Sequence, residues 1–302
     1  MALQKRSPRA LALIETLVVT LLWASSFVLV KIALTEVGPL TTAGVRYFVA
    51  FIILLPFLLR RRKTAARLSP RMWVMLLLIG LSAYTVGNGA FFWGLKYLPA
   101  TTTSFLMSVN PLLILLAGML WLKEIPTRIQ VVGLVVCLVG SALFFSGGLK
   151  ADEPIGLLIT IVGLFAFAVF GILGRAVARD KQVDTLTLTA IPLGLGGGIL
   201  LVLAFIFEGI PVISWRVAGI LFWLALANTA VAYMLYNHSL RTLTALEMNV
   251  MLNLSPLGTA LLAWLLLGES ITMIKVAGMV VVITGVVLVQ QKTRRRLEIS
   301  TE

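Results

Sequence analysis

The chain has 302 residues, 60% of them hydrophobic and 12% charged, with a mean hydropathy of +1.03. A water-soluble domain is about a quarter charged, so this composition cannot build a soluble surface and lipid must solvate most of it. The 25 Lys and Arg against 12 Asp and Glu give a net charge of +13. In a soluble chain that excess points to nucleic acid. In a membrane chain it marks basic loops on one side of the bilayer, and no nucleic-acid partner is expected. The single Cys137 and single His238 exclude a disulfide framework and an all-Cys/His metal site.

A hydrocarbon core roughly 30 Å thick takes about 20 apolar residues of helix. Charge clusters and Pro/Gly turns divide the chain into ten such stretches, at 11–34, 40–59, 72–94, 99–121, 128–146, 154–177, 185–207, 216–238, 243–267 and 271–290. The predicted fold is an all-α polytopic membrane protein. No stretch alternates as a lipid-facing strand does, which argues against a barrel. Lys5, Arg6 and Arg9 before an apolar run resemble a secretory signal, but the run is too long and contains Lys31, so it is read as a retained first helix. With a cytoplasmic N-terminus, nineteen of the 25 basic residues fall on inside segments, four on outside ones, and Lys31 and Arg46 within spans. Both termini are therefore expected in the cytoplasm.

Shifting the chain by 145 residues lays spans three to five on spans eight to ten without a gap. Leu95, Leu98 and Ala100 meet Leu240, Leu243 and Ala245; Pro111, Glu124 and Thr127 meet Pro256, Glu269 and Thr272; Gly133 and Gly140 meet Gly278 and Gly285. The first two spans match more weakly, Lys31 falling on Arg175 at a shift of 144. Such a repeat indicates duplication. Each copy holds five helices, an odd number, so the second must enter the bilayer from the opposite side. The units run over 11–147 and 154–291, and inverted copies are a signature of secondary transporters.

Polar and helix-breaking residues within spans mark the candidate site. Asn110-Pro111 and Ser255-Pro256 fall near the middle of spans four and nine, where proline removes a backbone donor. Interruptions at matching places in two halves point to a transport site, and a packing kink is the competing reading. Glu124 with Thr127 and Glu269 with Thr272 lie between spans four and five and between nine and ten, as acids and caps for the following helix; they read as structural. Tyr84 and Asn88 are four apart, as are Tyr233 and Asn237, with Asn228 and Tyr236 adding to the second set. Unpaired in lipid these groups would cost several kcal/mol each, so they face inward, onto a wet cavity or onto polar contacts between helices. Trp23, Ser25, Ser26 and Phe92 have similar standing, and Asn253 joins the cavity candidates. Arg46, two turns inside span two, is the strongest ionisable candidate, because a cation at worst depth costs roughly 2.5–3.5 kcal/mol. Lys31 is near enough to the surface to snorkel. Glu15 and Glu247, a turn inside spans one and nine, are candidates for carrying a coupling proton or for reaching headgroups.

No Ser-x-x-Lys, Gly-x-Ser-x-Gly, His-Glu-x-x-His or phosphate-binding loop occurs. No enzymatic activity, cofactor or metal is expected, and an ATP-driven pump contained in this chain is excluded. Gly194-Leu-Gly-Gly-Gly198 reads as close helix packing.

Trp23-Ala-Ser-Ser-Phe27 with Lys31, Pro39 and Arg46 resembles the opening of an EamA-type member of the drug/metabolite transporter superfamily. The stretch from Leu95 to Gly140, with Asn110-Pro111 and Lys123-Glu124, is similar to that family's repeat unit, and the copy from Leu240 to Gly285 fits it better. The first copy has Lys123 where the family usually has glycine. The resemblance implies ten helices in two inverted EamA repeats and a central cavity. It further implies ion-coupled export or exchange of small polar metabolites such as amino acids through the inner membrane. A transporter predicts a polar cavity lined from spans three, four, eight and nine. A non-transporting sensor or assembly partner predicts instead a dry, closed bundle with its polar groups satisfied across helices. Monomer and homodimer are both compatible with the sequence.

Overall fold

The computed structural model describes residues 7–60, 68–94, 97–98, 106–146, 153–180, 182–267 and 271–299. Glu269, Leu95, Ala100, Lys5, Arg6, Arg61, Arg62, Lys63, Arg67, Lys96, Lys150 and Lys181 lie outside them, as does the side chain of Lys31.

The described residues form helices α1 (Pro8–Ala33), α2 (Pro39–Arg60), α3 (Pro70–Gly94), α4 (Leu106–Leu122), α5 (Arg128–Phe145), α6 (Pro154–Arg179), α7 (Thr185–Glu208) and α8 (Trp215–Ser239). Two further helices follow: α9, in segments Ala245–Leu252 and Ser255–Leu267, and α10, Met273–Ile299. Eight of these contain a stretch long and apolar enough to cross a membrane, and α4 is shorter. The chain is a polytopic, all-helical membrane protein. Apolar side chains such as Leu120, Leu158 and Ile206 stand exposed on the outside of the bundle, where only lipid suits them.

Local chemistry sets the starts. Ser7 and Ser69, each followed by proline, accept hydrogen bonds from Ala10 N and Met72 N, and Ser214 accepts from Val217 N. Each satisfies one of the free amides of a first turn. Pro111 and Pro256 do not kink continuous helices. A turn at Val109, and another at Asn253 and Leu254, breaks the helix, and each proline sits in the first turn of the segment that restarts. No amide is needed there, so each proline sits at a local interruption of the hydrogen-bond ladder while the backbone stays in the helical region.

The packing shows how the two copies are related. A Cβ on Gly133 would lie 2.8 Å from the carbonyl of Gly285, and one on Gly140 would lie 3.0 Å from that of Gly278. The register therefore runs oppositely along α5 and α10, and the helices are antiparallel. Cys137 Sγ meets Val282 O at 3.5 Å, and Asn253 Nδ2 donates to Ser108 O at 3.0 Å; both pairs are 145 residues apart. Positions that match between the copies thus touch each other, which is the mark of a two-fold relation. Helices α2 and α7 are likewise antiparallel, with Gly44 against Leu201 and Gly197 against Tyr47. The second copy is the first turned over.

Because Gly285 lies against Cys137 N at a distance that would be 2.6 Å from an added Cβ, Gly285→Val is expected to force α5 from α10. The expected loss is about 1–3 kcal/mol, read as a lower midpoint of thermal unfolding in detergent. An unchanged midpoint would show that this contact does not hold the halves together.

Candidate functional site

Helices α3 and α8 each contain a π-helical segment, Leu81–Gly87 and Leu226–Val231. Both begin 145 residues apart, so the irregularity is duplicated with the fold. Such turns interrupt the regular backbone ladder and recur at functional sites. Here they present carbonyls to side chains. Ala83 O accepts from Asn88 Nδ2 at 2.7 Å, while Asn228 O accepts from Trp23 Nε1 at 3.2 Å and from Arg46 at 3.0 Å.

Arg46 is 6% exposed. Its Nε donates to Thr229 Oγ1 at 2.7 Å and one terminal nitrogen to Ser26 Oγ at 2.7 Å, the other reaching Asn228 O. All three acceptors are neutral, and among the described residues no carboxylate lies within ion-pairing distance of it. Asn228 is itself fixed by Nδ2 donation to Leu22 O and to Ser25 Oγ at 3.0 Å, and its buried Oδ1 has no partner.

Beside this charge the centre is filled by rings. Tyr47 and Tyr84 lie 4.9 Å apart between centroids, Tyr84 and Tyr233 5.1 Å, Trp23 and Tyr233 5.2 Å, and Phe170 stacks on Tyr236 at 5.4 Å. Asn88 lies beside Tyr233, and Asn249 beside Tyr236. The structure therefore brings together Trp23, Ser26, Arg46, Tyr84, Asn88, Asn228 and Tyr233. Tyr47, Phe170 and Thr229 belong to the same cluster but lie in apolar runs, where nothing in the sequence distinguishes them. Asn110 and Asn253 form a second group at the helix breaks, with Asn110 Nδ2 on Asn249 Oδ1 at 3.2 Å and Asn253 on Ser108. Asn237 donates to Thr189 Oγ1 at 3.0 Å. Phe92 packs edge-on against Phe91 in the same buried apolar core as the rings.

Of the five remaining acids and caps among the described residues, the three acids are placed by long-range contacts. Glu124 does not serve the start of α5. Lys123, at φ 54° in the left-handed region, ends α4, and Glu124 then pairs with Arg175 Nε at 2.8 Å and accepts from Ala245 N at 3.3 Å. Left-handed backbone favours glycine, which is a physical reason for the glycine that the resembled repeat carries where this chain has Lys123. Arg175, counted above among the inside basic residues, is 8% exposed and therefore belongs to the interior with its partner. Thr127 stands at the start of α5, its amide held by Gln130 Oε1 at 2.9 Å, and Thr272 precedes α10, where Val276 N donates to its carbonyl. Glu247 is fully buried; it forms a capping box with Thr244 and an ion pair with Arg9 at 2.8 Å. Glu15 pairs with His238 Nδ1 at 2.7 Å and accepts from Ser239 Oγ at 3.0 Å.

The central rings come from α1, α2, α3, α6 and α8. A cavity of about 840 Å³ lies at one end of α2, α7 and α8, lined by residues that include Leu54, Phe57, Arg60, Asp184, Met234, His238 and Arg241.

Removing the Glu124 carboxylate would strand the Arg175 guanidinium with only the carbonyl of Leu240 as a buried acceptor. Glu124→Ala is expected to destabilise the bundle by about 3 kcal/mol, seen as a fall in thermal midpoint in detergent. An unaffected midpoint would mean that water replaces the carboxylate at no cost.

Comparison with known proteins gives consistent matches. The EamA-like transporter family matches residues 10–146 and again 154–290. The uncharacterized transporter YyaM of Bacillus subtilis is 26% identical over 87% of this chain and 88% of its own length. An uncharacterized transporter of Archaeoglobus fulgidus is 27% identical over 90% and 94%, and the uncharacterized inner membrane transporter YedA of Escherichia coli 27% identical over 89% and 87%. A protein of known crystal structure superposes with a TM-score of 0.80 over 94% of this chain and 98% of its own, at 18% identity, a likeness of fold. Matched by the family in both halves and along nearly its whole length, the chain belongs to the EamA-like transporter family.

Proposed function

We propose that this protein exports small polar metabolites, amino acids or similar solutes, through the inner membrane by secondary active transport with alternating access between its inverted halves. The observation that carries the reading is the antiparallel contact of α5 with α10, in which Gly133 meets Gly285 while their matching positions, Gly278 and Gly140, meet each other. Two copies that pack in this way can exchange conformations, which opens a site between them to one side and then the other. The polar and aromatic cluster around Arg46 draws on α1, α2, α3, α6 and α8, and so lies where both halves meet. With both termini in the cytoplasm, the 840 Å³ cavity opens inward. Trp23, Ser26, Arg46, Tyr84, Asn88, Asn228 and Tyr233 then form the cargo site, closed in this conformation by the rings. Asn110, Asn253 and the breaks beside Pro111 and Pro256 supply the hinge of α4 and α9.

The ends of the bundle carry contacts suited to gating. At one end Glu208 accepts from Leu40 N at 2.9 Å and from Thr41 N at 2.8 Å, and Glu36 accepts from Ser214 Oγ at 3.0 Å. These join the α1–α2 connection of one copy to the α7–α8 connection of the other. At the opposite end Glu15 with His238 and Glu247 with Arg9 do the same, and Glu15 is the better placed proton carrier because its partner His238 is half exposed. A second reading, a non-transporting sensor or assembly partner, draws on the filled centre and the many satisfied polar groups.

Counterflow in liposomes separates the two. A transporter exchanges labelled for unlabelled solute across a panel of amino acids, nucleosides and sugars. Arg46→Ala is expected to reduce exchange about tenfold or more while the protein still inserts and purifies as a folded species. Normal exchange by that variant would remove Arg46 from the cargo site. No exchange of any solute, with no thermal stabilisation by any, would favour the sensor.

A further inference from the structure

Resting on the transport reading, we propose that Arg46 recognises a negative charge on the cargo, so that this site selects a monocarboxylate with an apolar or aromatic body over its neutral counterpart.

The other buried guanidinium among the described residues is treated differently. Arg175, 8% exposed, is neutralised by Glu124 at 2.8 Å, whereas the partly buried Arg9 pairs with Glu247 at 2.8 Å and the partly buried Arg241 meets Thr185 Oγ1 and Val183 O. Arg46 is as deeply buried, at 6%, yet meets only two hydroxyls and one carbonyl. These occupy three of the five N–H donors a guanidinium offers. Neutral acceptors orient the fork without cancelling its charge. A buried cation left unneutralised is expensive, whereas one that meets an anion delivered by the cargo is neutralised when the site is loaded. Guanidinium also matches carboxylate in shape, as two parallel N–H donors face two oxygens.

The surroundings define the rest of the ligand. The Arg46 Cζ is 5.5 Å from the Tyr47 ring centroid, and from there Tyr84, Tyr233 and Trp23 follow in ring contact. A charge at one edge of a ring cluster fits an acid whose body is apolar. Asn228, whose Oδ1 is buried without a partner, holds its carbonyl on Arg46, and so offers a neutral acceptor close to the same point. A third observation comes from the entrance. The 840 Å³ cavity is lined by Arg60 and Arg241, with one carboxylate, Asp184, engaged at the start of α7 through Thr187 N at 2.7 Å. His238 there faces Glu15. Apolar side chains, Leu54, Phe57, Leu186 and Met234, make up most of the remaining wall. A cleft with an excess of one sign raises the local concentration of the other, so entrance and centre favour the same class of solute. Leu54 lies eight residues beyond Arg46 on α2, about 12 Å along the helix, and on α8 the positions of Tyr233 and Tyr236 fall between Thr229, which meets Arg46, and His238, which lines the cavity.

The test uses the full chain in liposomes and matched probes: phenylacetate, isovalerate, phenylalanine and leucine, each beside its primary amide. Counterflow is expected for acids and at least about tenfold weaker for the corresponding amides. Arg46→Gln should abolish that preference, while Arg46→Lys, which keeps the charge but not the fork, should retain part of it. A thermal melt of each variant in detergent checks its fold, and the acid-to-amide ratio of the unmodified chain stands even if Arg46→Gln fails to fold. Equal exchange of acids and amides would overturn the inference and leave transport intact, as would an unchanged preference in a folded Arg46→Gln. No exchange of either series, when nucleosides and sugars are also refused, would overturn both the inference and the transport reading. Exchange of nucleosides or sugars alone would overturn only the inference.

Discussion

In lipid, apolar side chains gain nothing by leaving the solvent, so helices stay together only where their backbones come close enough for dense contact and shared hydrogen bonds. The contact between α5 and α10 meets that condition through Gly133, Gly140, Gly278 and Gly285. Each glycine removes the side chain that would keep the two backbones apart. Because these four are two matching pairs meeting in opposite register, the same contact fixes the relation of the halves. Everything built on the two-fold, from the paired breaks in α4 and α9 to the paired π segments in α3 and α8, inherits its geometry from there.

Around that axis the interior must satisfy its polar groups without water. Most are satisfied across helices: Asn253 on Ser108, Asn237 on Thr189, Glu124 on Arg175. The copies are not used alike, however. In α3 the π segment serves its own Asn88, whereas in α8 it receives Trp23 and Arg46 from α1 and α2. A symmetric scaffold thereby acquires one asymmetric, charged centre. Aromatic rings close it, held by edge and stacked contacts each worth about 0.5–1.5 kcal/mol beyond their burial. Contacts of that size are strong enough to define a state and weak enough to give way to a ligand.

The spans, the duplication and the inversion were legible in the sequence because each follows from a constraint that acts on residue type. A bilayer demands runs of apolar residues, and close backbones demand glycine at fixed spacing. Arg46 was legible because a charge deep in an apolar run is costly. The rest depended on partners far apart in the chain. Nothing local says that Glu124 reaches Arg175, 51 residues away, or that Glu247 holds Arg9 at a separation of 238. The π segments have no composition of their own, and Tyr47 and Phe170 read as ordinary apolar positions until their rings are seen in contact. The filled centre was illegible for the same reason, since sequence names residues that face inward without saying how much space they leave.

The central claim is that one site between inverted halves faces each side of the membrane in turn. Accessibility of a single thiol tests it most directly, once Cys137, the chain's one cysteine, has been exchanged for serine. In that background Ser26→Cys places the thiol beside Arg46. The account predicts that a membrane-impermeant maleimide modifies it from either face of oriented vesicles, and that a transported solute slows the reaction from both. Reaction from one face only, or from neither in a folded protein, would contradict alternating access.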